Sequence, residues 1–147
     1  MLMLRVLVAI DGSACSLRAI SHLIALKEKL RPALEVLLIN VQPQVPTLDM
    51  MLDGRPSDVR RLEAPLKEQG AHVLAAARQA LDQAGVEHRS FVECGDPAQH
   101  IVDHATIYHC EMIVMGKHGA GVAVPVLAAS VATKVLHLAS VPVVLVP

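Results

Sequence analysis

Short, continuous apolar runs alternate along the chain with segments in which apolar residues recur at helical spacing. Runs rich in Val, Ile and Leu are typical of strands buried on both faces, whereas a 3.6-residue period is typical of amphipathic helices. Strands are predicted at residues 4–10, 33–41, 86–93, 111–115 and 141–146. The helices between them are marked by apolar residues from Ile20 to Leu30, from Leu62 to Leu81, from Ile101 to Ala105, and from Ser130 to about Leu138.

Polar residues indicate where two of these helices begin. Ser13 or Ser16 can cap the first helix, because a serine hydroxyl accepts a hydrogen bond from an unpaired amide of the first turn. The third helix is preceded by Asp96, a good cap, and Pro97 suits its first position.

The second connection is long and its role stays open. Residues 42–61 contain three prolines and no clear period, with an apolar island at Leu48, Met50, Met51 and Leu52. This island could form a lid over a ligand, add to a dimer surface, or be disordered. In the helix that follows, Pro65 is expected in the first turn, and Gly85 is expected to end the helix.

Strands that alternate with helices and are apolar throughout indicate a parallel sheet covered on both faces. We therefore expect one α/β domain, residues 1–147, built as an open doubly wound sandwich. Strand order reverses somewhere in such a sheet, and ligands bind at the carboxyl ends of the strands beside the reversal. A reversal next to the first strand would bring Asp11 close to the loop after the fourth.

The composition excludes several kinds of protein. Hydrophobic residues make up 53% and charged residues 18%, which is incompatible with a disordered chain. A net charge of −1, no basic stretch, and almost no aromatic residues argue against nucleic acid as a partner. No apolar run is long enough to span a bilayer and no leader pattern is visible, so we expect a cytoplasmic protein without a membrane partner.

The loop after the fourth predicted strand carries the clearest indication of function. Residues 116–119 read GKHG, and a helix beginning near Ser130 would point its free amides at the same place. Glycines let backbone amides approach a ligand, and helix N-termini attract anions. A Walker loop requires Ser or Thr where His118 stands, and the third glycine of a dinucleotide fingerprint is missing. The loop therefore indicates a phosphate site of another kind.

In these residues the chain resembles the universal stress proteins, over essentially its whole length. The resemblance rests on VAIDGS at residues 8–13, GDP at residues 95–97, and the carboxyl-terminal third. The ATP-binding branch of that family has G-x-x-G, nine residues, and then G-[ST]. Here three of these four positions match, and Ala129 before Ser130 replaces the third glycine.

The resemblance implies an architecture, an assembly and a ligand. The implied sheet has five parallel strands ordered 3-2-1-4-5, with helices on both faces. The implied assembly is a homodimer in which the fifth strands, Val141 to Val146, pair antiparallel. The implied ligand is ATP, with a divalent ion, Mg²⁺, between its phosphates. An unknown protein partner would respond to nucleotide occupancy.

The family's binding residues can be carried over position by position. Asp11 and backbone groups nearby would hold adenine and ribose, because a carboxylate accepts hydrogen bonds from ribose hydroxyls. Amides of the glycine loop and of the next helix, with the Ser130 hydroxyl, would hold the phosphates. The implied set is Ala9, Ile10, Asp11, Val41, Met115, Gly116, His118, Gly119, Ala129, Ser130 and Val131.

Two residues in the carboxyl-terminal third depart from a simple ATP site. Ala129 places a Cβ beside the phosphates; alanine is disfavoured there if the backbone needs a positive φ, but acceptable if it is helical. Pro125 restricts the nine-residue spacer. Two readings besides ATP binding stay open: a nucleotide-independent dimeric interaction module, and a protein that binds another anionic or adenosine-containing ligand.

Other reactive side chains have plainer interpretations. His100 and His104 share a helix face and lie near His109, but a solvated face is favoured over a metal site. His118 could contact phosphate through its ring or only through its amide. Cys15 is favoured as a buried core residue over a redox thiol. No catalytic constellation is recognisable, so an enzymatic activity beyond slow ATP hydrolysis is not expected.

Overall fold

The computed structural model describes residues 2–44, 56–117 and 125–147 and has the predicted alternation of strands and helices. The strands are β1 (Met3–Ala9), β2 (Ala33–Gln42), β3 (Glu87–Cys94), β4 (Met112–Gly116) and β5 (Val143–Val146). The helices are α1 (Ala14–Lys27), α2 (Pro56–Gln83), α3 (Pro97–Ile107) and α4 (Pro125–Leu138). None of the helices described is long and apolar enough to cross a membrane.

The five strands form one parallel sheet in the order β3-β2-β1-β4-β5, so the predicted fold is confirmed. Strand order reverses at β1, which pairs with β2 on one side and with β4 on the other. Alternate residues of β1 feed two separate cores: Val6 and Val8 pack with residues of α1 and α2, while Leu7 packs with residues of α3 and α4. Helices thus cover both faces of the sheet.

The predicted capping residues occupy their expected positions. Ser13 is the cap of α1, and its hydroxyl accepts a hydrogen bond from the amide of Ser16. Asp96 caps α3 in the same way, through the amide of Gln99. Gly85 follows the end of α2 with φ +66°, a conformation that glycine adopts without strain.

Two helices begin earlier than the sequence pattern predicts. α2 starts at Pro56 rather than near Leu62, so the placement of Pro65 in its first turn is wrong. α4 starts at Pro125 rather than near Ser130. In both cases a proline occupies the first helical position, where its missing N–H and fixed φ suit the helix. The apolar island of the second connection lies outside the described residues.

Close packing of α2 on the sheet depends on a glycine in its middle. Gly70 is buried, and a Cβ built on it would lie 2.3 Å from Cγ1 of Val92 and 2.8 Å from Oδ1 of Asn40. Both distances are far below van der Waals contact. The helix can therefore lie this close to β2 and β3 only because residue 70 has no side chain.

Replacing Gly70 with alanine is expected to lower the free energy of unfolding by about 1–3 kcal/mol, because the new methyl group overfills the interface between α2 and the sheet. Urea denaturation followed by circular dichroism measures this loss. Gln69→Ala, at the exposed neighbouring position, is the control and should change stability by less than about 0.5 kcal/mol. Equal stability of the two variants would contradict the close contact.

Candidate functional site

A cleft opens at the carboxyl ends of β1, β2 and β4, where the strand order reverses. Its cavity volume is about 140 Å³. The residues that line it are Ala9, Ile10, Asp11, Ser16, Ile39, Asn40, Val41, Pro97, Ile101, Met115, Gly116 and Val131. The members of the implied set among them are Ala9, Ile10, Asp11, Val41, Met115, Gly116 and Val131. The structure thus brings these seven residues together at the edge where ligands of parallel sheets bind.

A second cavity, of about 560 Å³, lies at the opposite edge of the sheet. It is lined by residues around the starts of β1, β2 and β3, including Lys27, Arg31 and Glu87. None of the residues implied for nucleotide binding contributes to it. Although it is the larger of the two, the cleft at the carboxyl ends is the better candidate, because strand reversal and the implied binding residues coincide there.

The main chain of β2 runs past the end of β1 and faces the cleft. Ladder pairing between these strands reaches Ala9 and Ile39, and the amide of Ile10 then donates to the carbonyl of Ile39 at 2.9 Å. On the other side of β2, the carbonyl of Gln42 accepts from the amide of Gly95 at 3.0 Å. Backbone groups of successive strand residues alternate in direction, so those of Val41 point to the β1 side.

The chain turns away from β2 directly after Asp11. Gly12 has φ +86°, and Oδ1 of Asp11 accepts a hydrogen bond of 2.9 Å from the amide of Ser13. This local turn leaves the Asp11 carboxylate exposed at the rim of the cleft. The N–H and C=O of Val41 and a carboxylate therefore lie around the same opening.

Gly116 closes the side of the cleft formed by β4 and α1. A Cβ at this position would lie 2.9 Å from backbone atoms of Cys15 and Ser16, so the strand meets the start of α1 without room for a side chain. The amide of Lys117 and the thiol of Cys15 both donate to the carbonyl of Val146, at 2.7 and 3.1 Å. The carbonyl of Val146 in β5 thus links the end of β4 to the start of α1. Cys15 is buried, as the favoured interpretation expected.

The phosphate side of the implied site differs from the expectation. His118 and Gly119 lie outside the described residues. Ala129 and Ser130 lie within α4, so the backbone at Ala129 is helical and suits alanine, and no positive φ is needed there. Within a helix, amides from the fifth residue onward donate to carbonyls four residues earlier. The helix start expected near Ser130 is therefore wrong, because the amides of Ser130 and Val131 lie beyond the first turn of α4; their contact with phosphates stays a prediction.

The remaining wall is formed by α3 and α4. Pro97 and Ile101 line the cleft from the first turns of α3. The cap residue Asp96 also forms an ion pair of 3.2 Å with Lys134 of α4. The hydrogen bond from the amide of Gln99, and then the bond from Lys134, hold the pKa of Asp96 below its usual value.

The histidines of α3 are placed differently from the prediction. His104 is buried, with 8% of its surface exposed, so the predicted solvated face is wrong. Its Nδ1 contacts the carbonyl of His100 at 2.9 Å, and its Nε2 lies 3.4 Å from a carboxylate oxygen of Glu93. The ring of His104 packs against the rings of Phe91 in β3 and Tyr108, with centroids 5.2 and 5.7 Å away, which explains the burial. In the part of the chain that is described, no group of three or more His, Cys, Asp or Glu could hold a metal ion.

Several residues of the cleft were missed by sequence reasoning: Ser16, Ile39, Asn40, Pro97 and Ile101. The position of Pro97 at the start of a helix that begins at the carboxyl edge could have placed it there. Asn40 could have been found from a different signal, since it is a polar residue within the apolar run of residues 36–41.

Comparison with known proteins places this geometry in a family. A model of the universal stress protein family matches residues 3–147. Universal stress protein YxiE of Bacillus subtilis is 26% identical over 144 residues, covering 97% of each chain. Universal stress protein MJ0531 of Methanocaldococcus jannaschii is 31% identical over 143 residues, covering 97% of this chain and 81% of that protein.

Solved structures share the fold. UspA from Lactobacillus plantarum has a TM-score of 0.74 at 18% identity, covering 100% of this chain and 99% of that one. A universal stress protein from Archaeoglobus fulgidus in complex with dAMP has a TM-score of 0.66 at 21% identity, covering 100% of both chains. A family protein from Arabidopsis thaliana with AMP bound has a TM-score of 0.65 at 21% identity, covering 97% of this chain and 90% of that one.

The capping role of Asp96 leads to a pH-dependent prediction. Asp96→Ala should lower the free energy of unfolding at pH 7 by about 1 kcal/mol, whereas Asp96→Asn, which still caps α3, should cost less. Because the pKa of Asp96 is lowered by folding, its contribution is present above the usual value of 3.8 and is lost as pH falls through the lowered pKa.

Urea denaturation at pH 7 and at about pH 3 measures the difference in the free energy of unfolding between the wild type and each variant. For both variants this difference should be smaller in acid, since the protonated Asp96 no longer pairs with Lys134. An equal difference in the free energy of unfolding at the two pH values would contradict the assigned role of the carboxylate.

Proposed function

The chain belongs to the universal stress protein family, and we propose that it binds an adenine nucleotide in the cleft at the carboxyl ends of β1 and β4. The observation that carries the proposal is the main chain of Val41, which faces the gap left where β1 ends. Asp11 and Gly116 stand on the other sides of the same opening. Each supplies chemistry suited to a different part of a nucleotide.

The exposed backbone of Val41 favours adenine over guanine. Its N–H can donate to N1 of adenine, and a carbonyl on the same side of β2 can accept from the N6 amino group. Guanine presents the opposite pattern, an N1–H donor beside an O6 acceptor, and would leave both backbone groups unpaired. Unpaired groups of this kind cost about 1–3 kcal/mol each. Ile39 and Ile101 supply apolar surface for the base.

The ribose is assigned to Asp11. Its carboxylate lies at the rim of the cleft, held by the amide of Ser13 through one oxygen. A carboxylate oxygen accepts more than one hydrogen bond, so ribose hydroxyls can bind without breaking this local turn. Such charge-assisted bonds are stronger than bonds between neutral groups.

The phosphates are assigned to the loop that begins at Gly116. The glycine allows the backbone to lie close to the start of α1, and the sequence GKHG continues from it. We propose ATP with Mg²⁺ as the ligand, with His118, Gly119 and the hydroxyl of Ser130 on the phosphate side. The known complexes of two structural neighbours with dAMP and AMP support an adenine nucleotide.

Nucleotide binding is proposed to regulate interactions rather than to drive a reaction. β5 is at one edge of the sheet, and Leu145 on it is partly exposed, as are Leu136 and Leu138 at the end of α4. An uncovered edge strand with apolar neighbours favours pairing with a second copy, so a cytoplasmic homodimer through β5 is part of the proposal. Nucleotide occupancy would then alter the binding of a protein partner.

Isothermal titration calorimetry tests the ligand. ATP with Mg²⁺ should bind, and GTP should bind at least about tenfold more weakly, because guanine mismatches the backbone of Val41. Mass spectrometry of small molecules released from untreated protein should find an adenine nucleotide. If no adenine nucleotide is released and ATP, ADP and AMP give no heat of binding, the chain is instead a nucleotide-independent interaction module.

Substitution of Asp11 tests the site. Asp11→Ala should weaken ATP binding by about tenfold or more, because charge-assisted bonds to ribose are lost. Asp11→Asn keeps an oxygen for the amide of Ser13 and should have a smaller effect. Asp82→Ala, at the far end of α2, is the matched control and should leave affinity unchanged. Unchanged affinity in Asp11→Ala would place the ribose elsewhere.

A further inference from the structure

Two buried amide side chains lie next to the cleft on β2. Asn40 and Gln42 are 4% and 8% exposed, although the strand around them is apolar. Nδ2 of Asn40 donates to the carbonyl of Ile10 at 2.8 Å, and Nε2 of Gln42 donates to Oδ1 of Asn40 at 2.7 Å. Burying two amides is costly unless each is well paired, so their presence in this strand needs a reason.

The chain of donors has a fixed direction. The carbonyl of Ile10 can only accept, so Asn40 must turn its NH₂ group toward it. Oδ1 of Asn40 then faces Gln42, which must in turn present its own NH₂ group. The carbonyl of Ile10 therefore sets the orientation of Asn40, the bond from Gln42 matches that orientation, and reversing either amide would bring two acceptors together.

The residue held by this chain is the one that precedes Asp11. The amide of Ile10 donates to the carbonyl of Ile39, and the carbonyl of Ile10 accepts from Asn40. Both backbone polar groups of Ile10 are therefore hydrogen-bonded to β2. In a trans peptide the carbonyl and the following N–H point in opposite directions. Fixing the carbonyl of Ile10 thus also fixes the amide of Asp11 and the direction in which the chain leaves β1.

Helix α2 covers the side chain of Asn40. The close approach at Gly70 brings its backbone so near that a Cβ there would lie 2.8 Å from Oδ1 of Asn40. Little room is left for water to replace the bond from Gln42. Loss of that bond would leave a buried acceptor unpaired, which costs more than the bond itself contributes.

We propose that Asn40 and Gln42 form an amide relay that positions Asp11 for nucleotide binding. The inference rests on the proposed function, in which Asp11 binds ribose, and adds two positioning residues to it. Gln42 does not line the cleft, and the hydrogen bonds of its side chain lead through Asn40 to the peptide between Ile10 and Asp11, which is the route we assign to it.

The test begins with Gln42→Met, which keeps the length of the side chain and removes its donor. The Kd for AMP, measured by calorimetry, should rise about threefold to tenfold, the equivalent of one hydrogen bond. Amide hydrogen exchange at Asp11 should become faster in the protein without nucleotide. Two controls are needed: Gln83→Met, exposed at the end of α2, and Leu81→Ala, which destabilises the core far from the cleft. Both should leave the Kd unchanged.

A double-mutant cycle separates positioning from general destabilisation. If Gln42 acts through Asp11, Gln42→Met should weaken AMP binding little further in a protein that already carries Asp11→Ala. Additive effects of the two substitutions on the Kd would overturn the relay, as would an unchanged Kd in Gln42→Met alone. Asn40→Leu should give at least the effect of Gln42→Met if it folds.

Failure of the relay can be told apart from failure of the proposed function. A wild-type protein that binds AMP, with no change in Gln42→Met, overturns the relay alone. A wild-type protein that binds no adenine nucleotide overturns both the proposed function and the role of the relay in binding. In that case, faster exchange at Asp11 in Gln42→Met would still establish that the amides fix this peptide, and unchanged exchange would refute that as well.

Discussion

The placement of β1 between β2 and β4 is the constraint on which the rest of the structure depends. Because β1 pairs in parallel on both sides, its side chains alternate between two cores, and helices must cover both faces. The crossover from β1 runs to β2 and the crossover from β4 runs to β5, in opposite directions along the sheet, so the connections at the carboxyl edge separate between β1 and β4 and a cleft remains. β1 is also shorter than β2 at this edge, which exposes main-chain groups of Val41 to the cleft.

Glycines allow two helices to lie close enough to support this arrangement. Gly116 admits the start of α1 against β4, and Gly70 admits α2 against β2 and β3. The two contacts serve different parts of the cleft. The first places Ser16 in its wall, and the second seals the amides that hold the main chain before Asp11. The packing of α1 and α2 on the sheet therefore also determines the wall of the cleft and the position of the main chain before Asp11.

Much of the fold could be predicted from the sequence, and the reasons differ between elements. Buried parallel strands have an apolar pattern that is hard to mistake, and the order of strands followed from the family resemblance rather than from periodicity. The starts of α2 and α4 could not be found from apolar spacing, since their first turns are set by Pro56 and Pro125. The burial of His104 depends on contacts between α3 and distant strands, which no local pattern records.

The two ends of the cleft differ in how well they suit the nucleotide that we propose. The side proposed for adenosine is built from strand backbone and the side chain of Asp11, whose positions are fixed by hydrogen bonds of the sheet and of the turn after β1. On the phosphate side, the amides of Ser130 and Val131 already donate within α4. Phosphates could use them only by replacing helix bonds, each with a net value of about 0.5–1.5 kcal/mol. Adenosine contacts would then supply most of the affinity, while the phosphates would act on the first turns of α4. Since α4 leads directly into β5, a change in the conformation of those turns would be transmitted to the edge strand of the sheet. This is the physical route by which a bound triphosphate could alter that edge.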